Sequence, residues 1–158
     1  MPVDHVADGI YISGWRATLI VENLRQRGIT NVLKLFRDTP FFPDDFNVFE
    51  LPVEDGEPLP PDALPRGVAF VLKQVEASRP VLVMCGAGIS RSATFVLAAL
   101  VARGYDLPDG FALLHEQHPD ATPHPHLWQS LIDNFGLDYP LDDALTWMRE
   151  LRSGEKNT

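Results

Sequence analysis

Residues 80–95 constrain this chain more than any other stretch, reading Pro-Val-Leu-Val-Met-Cys-Gly-Ala-Gly-Ile-Ser-Arg-Ser-Ala-Thr-Phe. Four apolar residues, Val81 to Met84, predict a short buried strand. The single cysteine of the chain, Cys85, falls where that strand ends. A glycine-punctuated loop follows, and Arg91 opens an apolar run over 93–102 that is rich in Ala and Leu. This run is too long for a strand and predicts a buried helix. A thiol, a Gly-rich turn, a guanidinium and a helix N-terminus therefore converge on one spot, and each of them favours an anion there.

The rest of the chain supplies a frame for that loop. Residues 8–15 predict a strand or hairpin start with Ile10 and Ile12 on one face. Leu19, Ile20 and Leu24 have helical spacing over 17–27, and Gly28 supplies the stop. Strands are expected over 31–36 and 46–53. The loop Glu54-Asp-Gly-Glu-Pro-Leu-Pro-Pro-Asp excludes regular structure by its prolines and glycine, with Leu59 as an anchor. Val68, Val71, Leu72 and Val75 mark an amphipathic helix ending near Ser78. This order predicts an α/β fold, a single domain over 1–152 with a mainly parallel central sheet flanked by helices. The last third is expected to be helical: one helix from Pro108 through Phe111, Leu113 and Leu114, one through Leu127, Leu131, Ile132 and Phe135 stopped by Gly136, and one over 142–152. Residues 153–158 read as a frayed polar tail.

Composition removes several classes of function. With 13 Lys plus Arg against 22 Asp plus Glu, the net charge is −9. Such a surface repels nucleic acid and anionic lipid at long range, and no basic cluster offsets it. The longest apolar run is far short of the roughly 20 residues of a membrane span, and the N-terminus shows no signal-peptide pattern. One cysteine excludes an intramolecular disulfide and fits a reducing compartment, so a cytoplasmic location is expected.

Successive backbone N–H groups in a tight loop form an anion nest, and a helix dipole reinforces it. Gly86 and Gly88 permit the backbone conformations this requires, and Arg91 offers a planar fork for two phosphate oxygens. A thiol in such a field has its pKa lowered from about 8.5 to about 3.5–7.5. Taken singly, these residues have ordinary readings: a lone cysteine is usually a small buried hydrophobe, and a lone arginine a surface charge. A dinucleotide loop is disfavoured, because Gly86-x-Gly88-x-x-Arg91 lacks the third glycine. Ser92 reads as a helix cap, and Ser90 as a loop-shaping residue. A proton donor is also needed for a leaving group; Glu54, Asp55 and Glu57 all lie where a strand end opens into a loop. His115 and His118 fall one residue short of the zinc-protease spacing and precede Pro119, which reads as a solvated helix end. Trp15, Trp128 and Trp147 read as core or near-core residues.

Val83-Met-Cys-Gly-Ala-Gly-Ile-Ser-Arg-Ser-Ala resembles the signature of the cysteine-dependent protein tyrosine phosphatases, in which five residues separate cysteine and arginine. The segment from Gly88 to Ala93 is similar to the dual-specificity branch. Gly9-Ile-Tyr-Ile-Ser-Gly, Gly28-Ile-Thr-Asn-Val-Leu, Leu51-Pro-Val-Glu-Asp-Gly and His118-Pro-Asp-Ala-Thr-Pro follow in that branch's order, so the resemblance covers most of residues 8–136. It implies a phosphomonoester hydrolase acting on phosphotyrosine and phosphoserine or phosphothreonine through a cysteinyl-phosphate. Cys85 is then the nucleophile, Asp55 the acid, and Ser92 the hydroxyl that assists the sulfur in leaving. Gly86, Ala87, Gly88, Ile89, Ser90 and Arg91 are the implied phosphate-binding residues. No metal or organic cofactor is required, and the expected partner is a phosphorylated protein or a small phosphomonoester. One departure stands out: the family places His before the nucleophile and this chain has Met84, which predicts lower activity or a more alkaline optimum. A phosphate-binding module without turnover is the alternative that Met84 favours. A sulfur-transfer protein matches the surroundings less well.

Overall fold

The structure is a computed structural model that describes residues 3–14, 21–37, 41–54, 57–86 and 90–156. Five strands, β1 (Asp4–Ala7), β2 (Ile10–Gly14), β3 (Asn31–Lys34), β4 (Asn47–Glu50) and β5 (Val81–Cys85), form one sheet in the order β1-β2-β5-β3-β4. Only β1 runs antiparallel to its neighbour; the pairs β2–β5, β5–β3 and β3–β4 are parallel. The expected mainly parallel sheet is present, with a hairpin at one edge. Asp8 and Gly9 turn that hairpin with φ of 56° and 82°, the left-handed pair that a two-residue turn between twisted strands requires.

Period-two alternation along β5 sorts the core into two halves. Val81, Val83 and Cys85 face the larger one, covered by the helices α2 (Ala63–Glu76), α3 (Arg91–Ala102), α4 (Leu107–Gln117), α5 (Pro125–Phe135) and α6 (Leu141–Lys156). Leu82 and Met84 face a smaller one with Leu24 of α1 (Val21–Gln26), Ile29, Val32 and Phe46. Helix α3 runs through the middle of the large half, and every residue from Ser92 to Leu100 is buried. An all-round apolar run has no wet face to present, which is why this segment became the central helix.

Several boundaries differ from expectation. Helix α2 begins at Ala63 rather than near Val68. Pro65 falls in its first turn, where the missing N–H has no helical partner in any case. Strand β4 is shorter than expected, although the chain beyond it still follows β3, through Leu51 N–H to Lys34 O at 2.8 Å and Val53 N–H to Leu35 O at 3.2 Å. The segment read as a polar tail from residue 153 continues α6 as far as Lys156. Leu19, Ile20 and Trp15 lie outside the described residues. The helix stops Gly28 and Gly136 both take left-handed φ, 75° and 59°.

The two histidines read as a solvated helix end are buried instead. His118 is 1% exposed and its Nδ1 lies 2.6 Å from Asp4 Oδ2. The end of α4 packs on β1, and a short, half-buried carboxylate there gives the ring a hydrogen-bond partner. Among the described residues no three His, Cys, Asp or Glu side chains come together as a metal site, and no helix is long and apolar enough to cross a membrane.

Helices α2 and α3 cross at Gly67. A Cβ there would lie 2.5 Å from Phe95 Cε1 and 3.4 Å from Leu33 Cδ2. Phe95 is 1% exposed and has nowhere to retreat. Gly110 of α4 is different, since a Cβ would meet Leu100 and Leu97 at 3.7 Å, ordinary contact. Alanine favours a helix by about 1 kcal/mol over glycine, and overpacking costs about 1–3 kcal/mol. Gly67→Ala is therefore expected to destabilise the fold by about 1–2 kcal/mol in urea unfolding, whereas Gly110→Ala leaves it unchanged or up to ~1 kcal/mol more stable.

Candidate active site

The site sits at the C-terminal edge of the parallel strands, where β5 hands over to α3. In a parallel sheet this edge gathers strand ends and helix N-termini, the usual place for anionic ligands. Cys85 closes β5 beside Gly14 of β2 and is 1% exposed. Its thiol donates to Ser92 Oγ at 3.3 Å. Of the two readings of Ser92, the structure realises the thiol partner: Ser90 occupies the N-cap position of α3 and Ser92 faces the sulfur.

Arg91 is the first helical residue. Its side chain folds back beside Gly86, where a Cβ would stand 3.1 Å from Arg91 Nη2. A side chain at position 86 would press on the guanidinium, so glycine here clears space for Arg91. The other terminal nitrogen, Nη1, donates to Val53 O at 3.1 Å. Val53 lies just before Glu54 and Asp55, so this bond joins the anion loop to the loop of acidic residues. Asp55, Ala87, Gly88 and Ile89 lie outside the described residues.

Ser90 shapes the loop from its helical side. Its carbonyl accepts from Thr94 N–H at 3.0 Å and Thr94 Oγ1 at 2.8 Å, closing the first turn. Its hydroxyl accepts from His124 N–H at 3.1 Å, which ties the loop to the entry of α5. Within α3 the amides just after the cap have no upstream carbonyl to receive them and stay available to an anion.

Met84 points away from this chemistry. Its side chain is fully buried in the smaller half of the core, while its carbonyl accepts from Leu35 N–H at 3.0 Å. Ser13 is its register partner on β2 and is also fully buried, with a hydroxyl that has no hydrogen-bond partner among the described residues.

A further contributor escaped the sequence reading. Leu59, expected as an anchor, packs on the large core and donates its N–H to Ser130 Oγ of α5 at 3.2 Å. Nothing in the local pattern around Ser130 marked it, because its partner lies 71 residues away.

Two buried serines allow a test of these contacts with opposite signs. Ser90→Ala strips a partner from the half-buried His124 N–H, and losing such a hydrogen bond costs about 0.5–1.5 kcal/mol. Ser13→Ala removes a hydroxyl that already lacks a partner, so it is expected to be neutral or to stabilise by up to ~1 kcal/mol. Chemical denaturation of the two variants reads both; a loss in Ser13→Ala equal to that in Ser90→Ala contradicts this account.

Comparison with known proteins agrees with the geometry. The family model described as the dual specificity phosphatase catalytic domain matches residues 10–135. The chain is 32% identical over 140 residues to the dual specificity protein phosphatase Mpk3 of Drosophila melanogaster, covering 83% of this chain and 33% of that protein. It is 31% identical over 134 residues to the human dual specificity protein phosphatase 16, covering 81% of this chain and 20% of the relative. The chain thus spans a third or less of the length of these relatives. Among solved structures, a mouse dual specificity phosphatase complexed with zinc tungstate superposes with a TM-score of 0.78 at 28% identity, over 84% of this chain and 86% of that one. With its fold, its loop between β5 and α3 and a match over residues 10–135, the chain belongs to the dual specificity phosphatase catalytic-domain family.

Proposed function

We propose that this chain is a cysteine-dependent protein phosphatase that hydrolyses phosphotyrosine and phosphoserine or phosphothreonine through a cysteinyl-phosphate. The observation that carries the reading is the placement of Cys85 at the end of β5, with the Ser92 hydroxyl 3.3 Å from its sulfur. Arg91, folded over Gly86 at the start of α3, completes that arrangement.

In the first step the Cys85 thiolate attacks phosphorus, and the S–P bond forms as the ester P–O bond breaks. Asp55 gives its proton to the departing oxygen. The guanidinium of Arg91 and the amides of residues 86–91 hold the three phosphoryl oxygens and stabilise their charge in the transition state. In the second step Asp55 takes a proton from water, the water oxygen bonds to phosphorus, and the S–P bond breaks. The Ser92 hydroxyl receives the returning thiolate as a hydrogen-bond donor, reversing the polarity it shows beside the neutral thiol.

Protein substrates are favoured by the relatives named as protein phosphatases. The net charge of −9 disfavours polyanionic lipids. The cytoplasm is the compartment that suits a reactive thiol. Reversible oxidation of Cys85 fits this setting, and no second cysteine exists to resolve it as a disulfide.

Hydrolysis of an aryl phosphate tests the reading. Cys85→Ser is expected to lower kcat by at least ~1000-fold, as loss of a nucleophile does, and vanadate is expected to inhibit the wild type. Equal rates in both proteins would end the proposal. A wild type that binds vanadate but turns nothing over marks a binding module instead. Asp55→Asn is expected to slow turnover well beyond Glu57→Gln; equal effects remove Asp55 from its role. Met84→His is expected to raise kcat and move the optimum to lower pH, and an unchanged pH–rate profile rejects Met84 as a brake.

A further inference from the structure

The segment that contains Asp55 is bounded by two fixed points. On one side Val53 is held from both of its polar groups: its N–H donates to Leu35 O at 3.2 Å and its carbonyl accepts from Arg91 Nη1 at 3.1 Å. On the other side Leu59 N–H donates to Ser130 Oγ at 3.2 Å, and that hydroxyl donates in turn to His126 O at 3.0 Å. The chain here reads Pro58-Leu-Pro-Pro, and proline has no N–H. Leu59 is therefore the sole backbone donor across residues 58–61, and Ser130 takes it.

The Leu59 side chain rests on the large core, but a cavity of about 340 Å³ opens beside it, lined by Pro58, Leu59, Pro60, Leu64 and Ser130 among others. Packing is therefore one-sided at this joint, and the hydrogen bond to Ser130 adds the directional constraint that close-packed contacts supply elsewhere in the core. Prolines on either side of Leu59 stiffen the chain there, and with Val53 and Leu59 both held, only the five residues 54–58 separate the two fixed points.

We infer that Ser130 is a positioning residue for the acid of the reaction, holding the far end of the acid loop on α5 through Leu59. The inference rests on the reading of Asp55 as that acid. Ser130 touches neither substrate nor reacting atoms; it acts through the loop. Its loss therefore removes help to the leaving group and leaves the nucleophile and the anion nest intact.

The test is a series of aryl phosphates of rising leaving-group pKa, assayed with wild type, Ser130→Ala, Ser130→Thr and Asp55→Asn. An activated nitrophenyl ester needs little protonation, and unsubstituted phenyl phosphate needs much. Ser130→Ala is expected to lower kcat about fivefold on phenyl phosphate, the loss of one ordinary hydrogen bond, and less than about twofold on the activated ester. Ser130→Thr keeps the hydroxyl and is expected to restore the phenyl phosphate rate. Alanine suits a helix interior, so the variant folds, and its melting temperature is measured alongside. A uniform drop across the series, or none, overturns the inference while a steep leaving-group dependence in Asp55→Asn leaves the acid reading standing. A flat dependence in Asp55→Asn overturns the acid reading and the inference with it.

Discussion

The hydrogen bond from Arg91 Nη1 to Val53 O, 3.1 Å long, joins residues 38 positions apart in the chain. One end belongs to the first residue of α3 and the other to the segment that leaves β4 for the acidic loop. Arginine is suited to this double duty because its fork has five donors, so a carbonyl satisfies one while others remain for phosphoryl oxygens. A lysine has a point charge and no second plane of donors to divide. The same guanidinium leans on Gly86 closely enough that a methyl group would disturb it. Residue type at 86, 91 and 53 is thus constrained for one physical reason, although 53 contributes only its backbone.

That bond is possible because of how the sheet is ordered. Strand β5 lies between β2 and β3, so its C-terminal end has covered neighbours on both sides. The ladder does not end with the strands: Leu35 N–H reaches Met84 O, and Val53 N–H reaches Leu35 O. This relay runs from the residue before the thiol, across β3, to the residue that Arg91 grips. Cys85 and the acidic loop are consequently registered to each other by backbone bonds, which side-chain substitution does not readily alter.

Much of this was legible from residue pattern, and the part that was not has a common cause. The loop between β5 and α3 could be read because its signals are local: an apolar strand, a cysteine, two glycines, a serine and an arginine lie within a dozen residues. The helix stops at Gly28 and Gly136 were readable for the same reason. Helix α2 began early because a proline in the first turn looks like a loop residue from sequence yet costs a helix nothing there. His118 looked solvated beside Pro119, and its burial depended on Asp4, 114 residues distant. Lys34 carries the same lesson: in sequence it is a charge at the end of a strand, but its side chain is 2% exposed, 3.7 Å from Glu50 and against the ring of Phe36. Leu59 and Ser130 meet only once α5 is folded beside the proline-rich loop.

Met84 is where local pattern and tertiary structure pull apart most usefully. Adjacent residues on a strand point to opposite faces, so the Met84 side chain cannot touch the Cys85 sulfur from within β5. Whatever influence position 84 has on Cys85 passes through the smaller half of the core, through its carbonyl bond to Leu35, or through the charge and dipole of its side chain across the sheet. A thioether among Leu24, Ile29, Val32 and Phe46 supplies packing and almost no field. The hydroxyl of Ser13, the register partner of Met84 on β2, is buried beside it and has no hydrogen-bond partner among the described residues. Met84 thus brings no charge to the back of β5, and on the opposite face the Cys85 sulfur has the Ser92 hydroxyl as its neighbour.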